Sequence, residues 1–73
     1  MNAVQCKMAR TATGLGVRDL AEKAGVSPNT IARLERGEGL KAATVETIRA
    51  ALETAGVEFI AENGGGAGVR LKK

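Results

Sequence analysis

The sequence predicts a mainly α fold, with four helices followed by a C-terminal β-hairpin, and two observations carry that prediction. Apolar residues recur at three- and four-residue spacing through the first three-quarters of the chain, and glycines at positions 14, 25, 37 and 56 close the periodic runs. After Gly56 the period drops to two, in Val57-Glu58-Phe59-Ile60 and again in Val69-Arg70-Leu71-Lys72, with ENGGGAG between them.

The first helix is expected over residues 2–12, bounded by Gly14 and Gly16. Residues 17–36, VRDLAEKAGVSPNTIARLER, read as two short helices joined by a tight turn at Gly25. In the first of these, Leu20, Ala21 and Ala24 share one face, while Arg18, Glu22 and Lys23 take the solvent side. Asp19 lies in the first turn, where a carboxylate favours the helix dipole. Gly25 follows the last apolar residue, the usual place for a left-handed cap that a side chain would oppose. Val26 drops into the angle between the helices. Ser27 is an N-cap, and Pro28 at the first helical position gives up no needed N–H. In the second of the pair, Ile31 and Leu34 face inward and Gly37 ends the helix. Asn29, Ala32, Arg33 and Arg36 share a different face.

GEGLKAA is a loop into a fourth helix at about residues 43–55, with Val45, Ile48, Leu52 and Ala55 on its apolar face. In the hairpin, Val57 and Phe59 share a face with Val69 and Leu71, and Glu58 sits near Arg70 across the pair. This divides the chain into a helical part, residues 1–56, and the hairpin, residues 57–73. An isolated two-stranded hairpin is marginal in water, and its free edges invite further pairing. The expectation is that Val57, Phe59, Val69 and Leu71 form a dimerisation element joining two subunits. The alternative is a tail over residues 62–73 with only Phe59 tucked against the helices.

The build of residues 17–36 resembles the helix-turn-helix of the Cro and phage-repressor type, the XRE family. In that pattern the fifth position is alanine and the ninth glycine, matched by Ala21 and Gly25. Its apolar positions are matched by Leu20, Ala24, Val26, Ile31 and Leu34. The resemblance extends back to Arg10 and forward through the helix around Ile48. It also implies a structural ion pair between Arg10 and Glu35, which match the family's paired arginine and glutamate. Such a pair locks helix orientation more than it adds net stability.

A helix-turn-helix places its second helix in the major groove, so the implied partner is double-stranded DNA. Asn29 and Arg33 are the expected base readers, by bidentate bonds to adenine and guanine worth ~1–3 kcal/mol of discrimination each. Pro28 offers an apolar surface to a thymine methyl. Arg18, Ser27, Thr30, Arg36 and Lys41 are the expected backbone contacts, with Lys41 joined by the amides that open the fourth helix, and the alternative for Arg36 is a pair with a nearby carboxylate. Asp19, Glu22 and Glu38 are expected to be solvated. The sequence departs from many phage repressors at Val17 and Pro28, where those have glutamine, so no relative's target sequence transfers. With Ala32 offering no hydrogen bond, DNA shape is expected to supply part of the specificity.

Composition narrows the alternatives. With 73 residues there is one small domain, and with one Phe and neither Trp nor Tyr its core must be aliphatic. A core this small gives a second subunit something to stabilise. The net charge of +3 suits an anionic partner. No stretch approaches the ~20 apolar residues of a membrane span, no signal-peptide core stands at the N-terminus, and a cytoplasmic setting is expected. The chain has no histidine, and Cys6 is its one cysteine, so neither general-base catalysis nor a metal cluster finds its usual residues. Cys6 reads as a small core residue. GGGAG lacks the lysine and hydroxyl of a phosphate-binding loop and reads as a turn. No cofactor, metal or enzymatic role is expected. The function that emerges is a sequence-specific transcriptional regulator, a repressor binding an inverted repeat as a homodimer. The competing reading is a protein-interaction module, antitoxin or antiactivator, with the same fold and a protein partner.

Overall fold

The computed structural model describes residues 1–61 and 64–72. The chain runs α1 (Ala3–Thr13), α2 (Val17–Ala24), α3 (Pro28–Glu35), α4 (Ala42–Thr54), β1 (Val57–Ile60) and β2 (Gly68–Leu71). The four helices and the hairpin follow the order that the periodicity predicts. Glu62 and Asn63 of the predicted glycine-rich loop, and Lys73 at the end of the predicted hairpin segment, lie outside the described residues.

One aliphatic core joins all six elements. Cys6 and Ala9 come from α1, Leu20 and Ala21 from α2, Ile31 and Leu34 from α3, Ile48 and Leu52 from α4, and Val57 from β1. Val69 of β2 packs against it from the edge. Each fully buried Leu, Ile or Val contributes ~1.5–3 kcal/mol, so these few positions dominate the stability of the chain. Cys6 is fully buried there, as its helical position implies.

Helix ends shift by one residue from the predicted bounds, and the caps explain it. Asn2 is extended rather than helical, its side chain accepting from the Gln5 N–H at 2.8 Å, while Gln5 Oε1 accepts from the Asn2 N–H at 3.0 Å. This reciprocal box starts α1 at Ala3 instead of residue 2. In α4 the predicted apolar face is corrected at one position. Ala55 is exposed in the C-cap, and Ala51, one turn back, packs against the core in its place.

The hairpin adopts the register that the alternation predicts, with Val57 opposite Leu71, Glu58 opposite Arg70 and Phe59 opposite Val69. Arg70 Nε donates to Glu58 Oε1 at 2.7 Å across the pair. β2 extends over residues 68–71, so among the described residues this stretch of the tail alternative is a paired strand. Lys72 is past the strand, its N–H donating to Gly56 O at 2.7 Å.

The hairpin is also anchored to its own helices. Gln5, a buried polar residue of α1, spends both amide hydrogens there, donating through Nε2 to Ile60 O at 3.1 Å and to Gly68 O at 3.0 Å. Arg49 of α4, flanked by Glu46 and Glu53 at 3.1 Å each, places its guanidinium 5.7 Å from the centre of the Phe59 ring. The marginal stability of a free hairpin is therefore relieved within one chain.

Candidate nucleic-acid interface

The turn between α2 and α3 sets the angle of the outer helix, and glycine is required in it. Gly25 sits at φ +72°, its N–H donating to Glu22 O at 3.2 Å, while the Val26 N–H donates to Ala21 O at 3.0 Å. This pair of bonds is the Schellman closure, and it turns the chain sharply while Val26 tucks against the core. Ser27 then caps α3: its Oγ accepts from the Thr30 N–H at 3.2 Å and lies 2.9 Å from the Thr30 hydroxyl. Pro28 occupies the first turn. At the head of α2, Asp19 is not merely solvated as expected. Its Oδ2 accepts from the Gly16 N–H at 2.9 Å and so satisfies one of the free donors at the helix start.

With Ile31 and Leu34 buried, the opposite side of α3 is turned to solvent. Pro28, Asn29, Arg33 and Arg36 are exposed, and Thr30 and Ala32 are half-buried beside them. Two notches border this stripe. One is lined by Thr30 and Arg33 of α3 together with Leu40, Lys41 and Thr44 at the head of α4. The other brings Arg18, Ala21 and Glu22 of α2 beside Val26 and Pro28. The candidate DNA contacts thus cluster on one side of the molecule, although they come from three helices. Ser27 and Thr30 spend part of their hydroxyl capacity on each other.

Behind the stripe the far end of α3 is fixed to α1. Arg10 donates from Nε to Glu35 Oε2 at 2.8 Å and from Nη2 to Glu35 Oε1 at 2.9 Å, with Nη1 reaching Leu15 O at 3.4 Å. Cys6 Sγ lies 3.5 Å from Glu35 Oε2. Burial raises the Glu35 carboxyl, but the Arg10 hydrogen bonds and charge outweigh it and hold the group below the usual glutamate range. Burial and the neighbouring Glu35 carboxylate push the Cys6 thiol up to about 12.

Glu38, expected to be solvated, is instead paired with the stripe itself. Its Oε1 accepts from Arg33 Nε at 3.0 Å and its Oε2 from Arg36 Nε at 3.0 Å. Those hydrogen bonds hold its carboxyl below the usual range. The basic face is therefore not free of carboxylates. One sequence signal pointed this way: a glycine at position 37 in the left-handed region folds residue 38 back over the last helical turn.

At the hairpin, the four expected dimerisation residues separate. Val57 is fully buried in its own chain's core and offers no surface to a second subunit, so its role there is corrected. Phe59 and Val69 are half-buried, and Leu71 is 52% exposed.

Comparison with protein families matches residues 3–59 to a helix-turn-helix domain. Comparison with curated proteins gave no significant match. Among the described residues no helix is long and apolar enough to cross a membrane. The match takes in all four helices and most of β1, in the order and with the Gly25 turn described above, and the chain belongs to the helix-turn-helix domain family of Cro and repressor type.

Proposed function

We propose that the protein is a sequence-specific transcriptional regulator, a repressor that binds an inverted-repeat operator as a homodimer. The observation that carries this reading is the outward stripe of α3, where Asn29, Arg33 and Arg36 are exposed on the side opposite buried Ile31 and Leu34. In a helix-turn-helix that stripe enters the major groove. Asn29 and Arg33 read base edges, with Pro28 against a thymine methyl. Arg18, Ser27, Thr30, Arg36 and Lys41 contact the sugar-phosphate backbone and set register. Residues 1–56 serve as the DNA-binding part and residues 57–73 as the dimerisation element, in which Phe59, Val69 and Leu71 meet a second copy along the open sheet edge. No catalytic step is assigned to the protein.

A second reading has one specific support. Val4 is 64% exposed on α1, with Met8 and Ala12 one and two turns further along the same apolar groove. In a protein-interaction module, antitoxin or antiactivator, that groove would seat a partner helix.

The two readings part on one experiment: selection of bound fragments from random duplex DNA at near-physiological salt, followed by sequencing. The regulator reading expects an inverted repeat with half-sites about one helical turn apart, near 10–10.5 bp centre to centre. Salt-sensitive binding with no enriched sequence would transfer the case to the interaction module.

A further inference from the structure

One carboxylate holds both arginines of the α3 stripe. Glu38 Oε1 accepts from Arg33 Nε at 3.0 Å, while Oε2 accepts from Arg36 Nε at 3.0 Å and lies 2.9 Å from Arg36 Nη2. The backbone aims it there. Gly37, at φ +86°, closes α3 with its N–H donating to Leu34 O at 3.0 Å, and the Glu38 N–H donates to Arg33 O at 3.1 Å. Glu38 is thus tied by its main chain to the same residue that its side chain grips.

The grip on the two arginines differs. Arg36 is engaged at Nε with Nη2 alongside. Arg33 is held through Nε, a bond that does not use its terminal Nη donors. Those donors suit guanine N7 and O6. An unbraced arginine must give up rotamer freedom when it meets a base, and a side-on brace removes part of that loss beforehand. The same carboxylate offsets one of the two positive charges on this end of α3 and repels phosphates of any sequence.

Resting on the DNA-reading assignment above, we propose that Glu38 is a positioning residue for base readout, bracing Arg33 toward one base pair while weakening attraction to DNA in general. It exchanges affinity for selectivity. Removing it therefore moves two quantities in opposite directions, which loss of a purely structural residue does not do.

The test compares wild type, Glu38→Gln, Arg33→Ala and the double variant on three duplexes by fluorescence anisotropy. The duplexes carry the sequence selected by the wild type, that sequence with the base pair whose preference Arg33→Ala abolishes replaced, and an unrelated sequence. Glu38→Gln is expected to bind the unrelated duplex several-fold more tightly and to lose most of its discrimination at the Arg33-dependent base pair, about tenfold. In the Arg33→Ala background the same change is expected to leave discrimination where Arg33→Ala alone puts it. Glu38→Gln tightening binding to all three duplexes by one factor would overturn the proposal, leaving only a charge effect. So would discrimination lost further in the double variant. A wild type that selects no sequence at all would overturn the regulator reading and this proposal together.

A second measurement needs no DNA. The Arg33 Nε–H signal in the free protein is expected to exchange with water more slowly in wild type than in Glu38→Gln. Equal rates, with unchanged thermal midpoints showing both proteins folded, would show that no brace exists.

Discussion

At Glu35, burial and a fixed cation oppose each other on a single carboxyl. Burial raises it, and the hydrogen bonds and charge of Arg10 lower it further than burial raises it, with the Cys6 thiol and the Lys7 charge adding to the lowering. The folded-state value is thus below the unfolded one. The resulting stability is fully present above the ordinary glutamate range and is lost as pH falls through the folded value. Glu35→Gln is therefore expected to be less stable than wild type by about 1–2 kcal/mol near neutral pH, with the gap closing below the glutamate range. Thermal unfolding of both proteins across acid pH checks this. A gap independent of pH would mean that the pair adds nothing through its charge. Cys6 stays a neutral thiol throughout that window, because its value of about 12 lies far above it. Arg10→Ala should cost more than Glu35→Gln, about 2–3 kcal/mol, because it leaves a largely buried carboxylate without its partner.

Among the elements, the hairpin depends on α1 through one side chain. Gln5 supplies two donors to strand carbonyls of β1 and β2 and one acceptor to the Asn2 N–H. Gln5→Leu removes all three bonds and leaves two carbonyls to find other partners, for an expected loss of about 1–3 kcal/mol. Hydrogen exchange reads it element by element: the amides of β2 should open sooner while those of α2 and α3 keep their protection. Unchanged protection in β2 would show that Val57 and Phe59 hold the hairpin without help. Gln5 was not legible in the sequence, because an amide in a helix carries no periodic signal and its partners are 55 and 63 residues away. The hairpin register was legible, since alternation fixes which side chains share a face and Glu58 opposite Arg70 fits only one pairing. So were the turns at Gly25 and Ser27, whose residue types each answer a local backbone need. Ala51 and Ala55 both fit a small apolar stripe on α4, and only the packing of the helix chooses Ala51. Glu38 was half legible: Gly37 marks the closure, but which guanidinium a folded-back carboxylate meets depends on rotamers.

For the whole molecule, the fold gathers the candidate DNA contacts of α2, α3 and the head of α4 on one side and sets the hairpin against α1 and α4. Two copies joined along the sheet edge would each present an α3 stripe, which is what an inverted repeat requires. Wild type is expected to sediment as a dimer, and Leu71→Asp as a folded monomer with a lowered thermal midpoint, since Leu71 is 52% exposed in the single chain and the second subunit no longer stabilises it. A wild-type monomer at high protein concentration would remove the hairpin from the assembly. The central claim, that α3 reads bases while its neighbours grip the backbone, is tested most directly by comparing Arg33→Ala with Arg18→Ala on the selected duplex and its single-base variants over a range of salt. Arg33→Ala should lose preference at one base pair. Arg18→Ala should weaken binding evenly across sequences and lower the salt slope by about 1. If the two substitutions change base preference and salt dependence alike, the division between reading and anchoring is wrong.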